Sequence, residues 1–387
     1  MPAYWEAILR APVLNRHKFQ GFAQRKANMT IFDRTWRAEL MAKIAFLDDS
    51  FPFTGASLRS GPLGGIQTAT VMLAETLAAR GHHVTVHGMV SSDEKHYDVL
   101  YRPLLTPWGE HYDLLISNCV AKLFPYVSGS KKALWMHGPA KYLRKPRHLL
   151  PYLVHRPKVI FLGHYHRDTW PRWIPLFSSA IIPHGVGEPF IDAPEQPTPP
   201  QPNAIFLSNP RRHLDWVLKV WAEQIFPKMP EAQLHIYAGR SNYGSRRDDK
   251  LDKALASIDD YARFGVTLHH PLPKNELAEA MQESRVMLYR GDLGETFCFA
   301  AAEAQAVGVP LITAGIGSLK ERVIDGKTGF LREDEAGFAS AVLELLNNDA
   351  LWRTQHDAAR AYTRETLPWD KVAAAWEKLF NLEIKTR

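Results

Sequence analysis

Two glutamates, Glu295 and Glu303, stand with seven residues between them at the point where the chain changes character. Val286-Met287-Leu288-Tyr289 is a short apolar run of the kind that fills a buried strand. Arg290 to Gly294 is a loop, and the alanine-rich stretch from near Thr296 reads as a helix, since alanine is the best helix former. The N-terminus of a helix that follows a parallel strand gathers free backbone N–H groups and positive partial charge, which suits an anion such as a diphosphate. A carboxylate repels phosphate but accepts hydrogen bonds from sugar hydroxyls. One anion-binding helix start flanked by two carboxylates therefore fits a ligand with phosphates in its middle and a sugar at each end, a nucleotide-sugar. Taken alone, two glutamates at this spacing are what an ordinary solvated helix displays.

The surrounding residues separate those alternatives. From Leu293 the chain runs through Ala301-Ala302-Glu303-Ala304, Val309-Pro310-Leu311-Ile312-Thr313, Glu321-Arg322-Val323 and Asp325-Gly326-Lys327-Thr328-Gly329-Phe330. This resembles the nucleotide-sugar half of retaining GT-B glycosyltransferases, the glycogen-synthase and mannosyltransferase-like group. That group carries E-x-F-G, then E-A-x-x-x-G-x-P-V-I, then E-x-V-x-D-G-x-T-G-F/L. Cys298 departs from it, standing where glycine is usual, and Gly315-Ile316-Gly317-Ser318 replaces a paired-glycine loop. Neither departure removes a carboxylate.

The elements that must hold these residues follow the α/β pattern. Lys43 to Leu47 reads as a first buried strand ending in Asp48-Asp49. A loop containing Gly64-Gly65-Ile66-Gln67 follows, then an amphipathic helix from Thr68 to Arg80, then a strand from Gly81-His82-His83. Strand, helix and strand in that order predict a parallel sheet. The order is not the dinucleotide fingerprint, because no G-x-G-x-x-G follows the first strand. It is similar to the GT-B opening, in which G-G-[IV]-[EQ] precedes a helix ending R-G-H-x-V. Further strands are expected at 113–117, 133–136 and 159–162, each ending in polar residues: Asn118, His137-Gly138 and Gly163-His164. Residues 188–203 contain six prolines and few large apolar residues, as a linker does. A second α/β series starts at Ala204. Its loop Ser208-Asn209-Pro210-Arg211-Arg212-His213 leads to a helix at 214–220, the strand at Leu234 ends in Gly239, and a closing helix runs from Leu367 to about Leu382.

The resemblance thus implies a GT-B fold, with two Rossmann-like, doubly wound α/β domains facing a cleft. The expected layout is a basic extension at 1–40, an acceptor-side domain at 41–187, a linker at 188–203, a nucleotide-sugar domain at 204–366, and a helix at 367–387 that crosses back. It implies Glu295 and His137 as catalytic residues. Donor contacts would come from Gly64, Gly65, Arg212, Gly239, Thr296, Phe297 and Glu303. Arg212 is the better match of the pair Arg211-Arg212 for the basic residue that meets the diphosphate. His213 and His270 each occupy a position where the family has glycine.

Composition bounds the remaining chemistry. At 387 residues the chain can hold two domains of ordinary size. A net charge of +6 suits a phosphorylated substrate or an anionic membrane surface, and no dense Lys/Arg–aromatic module points to nucleic acid. Residues 1–40 carry seven Lys or Arg against three acids, interleaved with Tyr4, Trp5, Ile8, Leu9, Phe19 and Phe22. They read as a packed helical extension or as a basic arm for peripheral membrane contact. Lys141 to Arg147 forms a second basic cluster, read as a solvated surface or as a contact for an anionic acceptor or lipid. Two cysteines, Cys119 and Cys298, fit a reducing cytosol. No apolar run is long enough to span a bilayer, and the first residues lack a secretory signal. A cytoplasmic protein is expected. No spaced D-x-D is present, so a metal-independent enzyme without cofactor is expected, acting on a nucleotide-sugar donor and a glycan or glycolipid acceptor. A nucleotide-sugar epimerase and a non-catalytic nucleotide-sugar-binding protein are the alternatives.

Overall fold

Strands that are apolar along their whole length must be covered on both faces, which calls for parallel sheets flanked by helices. In the computed structural model, which describes residues 41–61, 63–104, 109–239 and 249–382, this chain builds two such sheets. In β1 (Lys43–Leu47), every residue from Ile44 onward is fully buried. β1 pairs in parallel with β2 (His83–Gly88) and, on its other side, with β5 (His111–Asn118). Beyond β2 lie β4 (Val99–Pro103), also parallel, and the antiparallel edge strand β3 (Glu94–His96). Beyond β5 follow β6 (Ser128–Trp135), β7 (Lys158–Phe161) and β8 (Ser179–Ile181), all parallel. The connecting helices are α1 (Gly55–Ser60), α2 (Gly65–Ala79), α3 (Pro146–His155) and α4 (His164–Asp168).

After a short helix, α5 (Glu188–Ile191), the second sheet is parallel throughout. Its strands are β9 (Asn203–Phe206), β10 (Gln233–Tyr237), β11 (Val266–His269), β12 (Val286–Leu288), β13 (Leu311–Thr313) and β14 (Gly329–Leu331), in the order β11-β10-β9-β12-β13-β14. Helices α6 (Leu214–Val220), α7 (Asp249–Ala256), α8 (Lys274–Gln282), α9 (Phe299–Val307), α10 (Glu335–Asn347), α11 (Asp349–Thr366) and α12 (Trp369–Phe380) complete the chain. Strand order reverses between β1 and β5 in the first sheet and between β9 and β12 in the second. Crevices for ligands open at the carboxyl ends of strands at such reversals.

Ala42–Glu383 is one compact unit; the rest of the chain is a second unit that, Met41 apart, lies outside the described residues, including the basic extension at 1–40. Within the larger unit, α12 returns to the first sheet. Trp376 packs edge-on against Trp135 of β6 with centroids 5.4 Å apart. Arg80, at the end of α2, donates to both carboxylate oxygens of Glu377 at 2.8 and 2.7 Å, and His82 meets the same carboxylate at 3.1 Å. Burial would raise the Glu377 carboxyl, but the hydrogen bonds and charges of Arg80 and His82 outweigh it and hold the pKa at about 2.

Several sequence-based boundaries move. The first long helix begins at Gly65 rather than Thr68, with Gly64 as its N-cap. The Ala-rich helix begins at Phe299 rather than near Thr296, because Cys298 takes a left-handed conformation, φ 66°, that no helix interior admits. The proline-rich stretch contains α5, whose Phe190 is buried and whose turn packs on α8 and α9. Strands β3 and β4 had no counterpart in the sequence reading.

Candidate functional site

At the reversal point of the second sheet, the loop after β9 and the loop after β12 come together. The first carries Arg212 into α6 through His213, which adopts φ 61°. The second carries Tyr289 and then Glu295. The Glu295 carboxylate pairs with the Arg212 guanidinium, accepts the Tyr289 hydroxyl at 3.2 Å, and accepts the Cys298 backbone N–H at 3.2 Å. Both His213 and Cys298, which stand in place of glycines, hold a backbone conformation that favours glycine. His270 does not; its φ is ordinary. Desolvation would lower the Arg212 pKa, but the adjacent Glu295 charge raises it, so the guanidinium stays charged. Burial, with Glu295 next, raises the Tyr289 phenol, which keeps its proton and acts as donor. Gly317 closes the far side of the Glu295 loop at φ 72°; a Cβ there would sit 2.3 Å from the Asp292 carbonyl oxygen.

One turn into α9, Glu303 is buried and receives the Lys274 ammonium at 2.6 Å. Lys274 opens α8, directly after the turn Pro271-Leu272-Pro273. It was not among the expected site residues. Its only sequence signal was adjacency to the strand and turn that in the resembled family face the base. Beside it, the Tyr237 and His269 rings stack at 4.5 Å and 14°.

The first sheet contributes a hydrogen-bond chain from its own reversal point. Buried Asp48, at the end of β1, accepts the Asn118 side-chain N–H at 2.8 Å, and the same amide nitrogen donates to Thr70. Asn118 therefore presents its oxygen to His137, 3.1 Å from Nε2. That oxygen can only accept, so His137 carries its proton on Nε2 and has a lone pair at Nδ1, facing His184 Nε2 at 3.3 Å. His184 must then donate from Nε2, and its buried Nδ1 has no hydrogen-bond partner. Burial, with His166 adding to it, lowers His137 to about 3, and burial pushes His184 well below its ordinary value, so both rings are neutral. Both ring nitrogens of His137 are engaged within the protein. Contact with a ligand would require one of them to exchange partners.

The two halves meet over a cavity of about 410 Å³. Of the residues expected from the sequence, Gly65, His137, Arg212, Glu295, Thr296, Phe297 and Glu303 line it, while Gly64 and Gly239 do not. Gly65 lets α2 approach the Phe299 ring, where a Cβ would stand 3.3 Å away. Gly239 packs under Pro271 instead. The Thr296 hydroxyl donates to the His137 carbonyl at 2.7 Å and so spans the two halves. Phe297 is held under the Arg322 guanidinium and against His184. A second tie lies beside the cavity: the Glu321 carboxylate accepts the backbone N–H groups of His164 and Tyr165, and the Tyr165 hydroxyl donates to the Leu293 carbonyl at 2.8 Å. Among the described residues no three His, Cys, Asp or Glu side chains are grouped to hold a metal ion. No described helix is long and apolar enough to cross a membrane.

Residues 201–348 match the family Glycosyl transferases group 1. D-inositol 3-phosphate glycosyltransferase of Streptomyces avermitilis is 31% identical over 154 residues, covering 39% of this chain and 32% of that protein. Glycogen synthase of Mycobacterium tuberculosis is 36% identical over 106 residues, covering 25% and 26%. The chain thus spans about a third, or less, of the length of these relatives. Among solved structures, sucrose-phosphate synthase from Thermosynechococcus elongatus aligns with a TM-score of 0.67 at 17% identity, over 88% of this chain and 98% of that one. Anabaena HepE in complex with UDP-glucose aligns at 0.66 and 13%, over 88% and 99%. WaaG, a glycosyltransferase involved in lipopolysaccharide biosynthesis, aligns at 0.59 and 15%, over 89% and 100%. These likenesses carry the fold, and the fold is GT-B.

Proposed function

From a GT-B chain whose residues 201–348 fall in Glycosyl transferases group 1, we infer a glycosyltransferase that moves a sugar from a nucleoside-diphosphate sugar, UDP- or GDP-linked, to an acceptor hydroxyl with retention of configuration. The observation that carries this reading is the pair of cation–carboxylate contacts in one cavity, Arg212 with Glu295 and Lys274 with Glu303. A diphosphate entering between them would draw the two cations to its oxygens. Each carboxylate would be released to accept hydroxyls, Glu295 those of the transferred sugar and Glu303 those of the ribose. Glu295, still held by Tyr289 and Cys298, would then stand where positive charge develops at the anomeric carbon. The leaving diphosphate would take the proton of the acceptor hydroxyl. The neutral His137, with its Nε2 proton fixed by Asn118, would hold the sugar or the acceptor by exchanging one of its partners. With cations supplied by side chains, transfer is expected without a divalent metal. The acceptor would be a glycan or glycolipid, and the site of action the cytoplasm, with peripheral contact to an anionic membrane.

The test is a thermal-shift screen against UDP, GDP, ADP and their sugars, followed by assay of the selected labelled donor with and without EDTA. Selective binding raises the melting temperature by mass action. A labelled glycan product with retained configuration, formed equally in EDTA, is expected. Loss of turnover in EDTA with rescue by magnesium or manganese would remove the metal-free part. Donor binding with no transferred label, to water or to any acceptor, would leave a binding protein or an epimerase.

A further inference from the structure

Between Leu114 and Gly187 the chain carries eleven Lys or Arg and a single acid, Asp168, although its total charge is only +6. These residues run from β5 through β6, β7 and β8 with the helices between them, so the excess is concentrated on one flank of the first sheet. The same flank shows large apolar side chains to solvent. On α3, His148 and Tyr152 face inward, the Tyr152 hydroxyl donating to the Pro175 carbonyl at 2.6 Å, while Leu149 and Leu153 pack on the core. Arg147, Leu150 and Val154 recur at helical spacing on the outward face, and Leu150 and Val154 are 59% and 73% exposed. The turn Ala140–Arg144 that leads into α3 adds exposed Lys141 and Arg144, followed by Lys145. The loop held by Tyr152 exposes Trp173 beside Arg172, and Phe177 lies under the Arg156 guanidinium at 4.9 Å.

We propose that this face, centred on the outward stripe of α3 and the basic turn before it, is a docking surface for an anionic lipid bilayer. Cations alone would suit any polyanion, but solvent-facing Leu150, Val154 and Trp173 set among them would not. A soluble polyanion gains nothing from aliphatic side chains, whereas a bilayer interface takes the apolar groups below its headgroups and the Lys and Arg at headgroup level. Lys141 comes four residues after His137, which lines the cavity, so a docked face would hold the mouth of the site close to the lipid surface. The surface reading rests on charge and exposure and does not depend on the transfer reaction proposed above.

The experiment is flotation of the full chain with phosphatidylcholine vesicles, pure or containing about a third phosphatidylglycerol, in the absence of donor and acceptor. Binding to the anionic vesicles only, declining as salt is raised, is expected. Two variants divide the surface: Arg144→Gln with Lys145→Gln and Arg147→Gln, and Leu150→Gln with Val154→Gln. Each should weaken vesicle binding about tenfold or more at an unchanged melting temperature. No binding by the parent chain, equal binding to neutral vesicles, or parental binding by both variants would overturn the proposal. So would binding of soluble polyphosphate, together with vesicle binding that the Leu150 and Val154 changes leave untouched. Failure here leaves donor binding and transfer intact, and failure of transfer leaves vesicle binding intact, so the two readings fall separately.

Discussion

At the scale of single residues, the proposed reaction turns on two carboxylates in unlike surroundings. Glu295 is gripped by a cation, a phenol and a backbone N–H, whereas Glu303 is buried against one lysine. Glu295→Gln should lower turnover by about 10²-fold or more while leaving affinity for the bare nucleoside diphosphate nearly unchanged, as loss of a transition-state stabiliser does. Glu303→Gln should instead weaken the bare nucleotide by roughly 1–3 kcal/mol, through a lost charged hydrogen bond. Titration of each variant beside initial rates decides; equal losses of affinity in both would reverse the assignment. Much of this constellation was legible, since Glu295, Arg212 and Glu303 sit in recognisable local frames. Lys274 was not, because the ammonium that meets Glu303 comes from a different helix, 29 residues earlier, and only the fold joins them. His213 and Cys298 looked like departures from a glycine pattern, yet the backbone keeps the glycine conformation at both. Since the His213 side chain is substantially exposed, His213→Gly should stabilise the protein by about 1 kcal/mol in urea unfolding.

At the scale of elements, strands with a continuous apolar run were readable because burial on both faces leaves no other composition, as in Ile44–Leu47. The β3–β4 hairpin was hidden for the opposite reason. It is an edge, β3 is solvent-facing, and the two-residue turn is Tyr97-Asp98, at φ 48° and 62°, in place of the Asn-Gly that signals such turns. Helix α5 was obscured by the prolines around it, although Phe190 anchors it in the core. The return helix α12 carries its own pH signature. The Glu377 pKa is depressed in the folded state, so its contribution is full above the unfolded carboxyl range and is lost as pH falls from about 4.5 through about 2. The stability difference between the parent chain and Glu377→Gln, from urea titrations, should shrink as pH falls from 5 to 2; a difference that persists at pH 2 would show that the carboxylate's charge is not its source.

At the scale of the molecule, the halves are joined by more than the cleft. The backbone of Val186 bridges Pro368, so the two passages between the sheets run side by side. Trp376 is fully buried against Trp135, and Trp376→Ala should cost about 3–5 kcal/mol in equilibrium unfolding. That closing helix has a consequence for how the protein is born. Arg80 emerges from the ribosome 297 residues before its partner Glu377. At ordinary elongation rates the interval is ~15–60 s. Within that interval the first sheet is completed at β8 and then waits with Trp135 not yet covered by Trp376 and with Arg80 and His82 without Glu377, and it is sealed only when the last helix arrives. The half that begins synthesis is thus the half that finishes folding last, and a nascent chain stalled before Trp369 would offer an apolar face to whatever chaperone or neighbour is at hand.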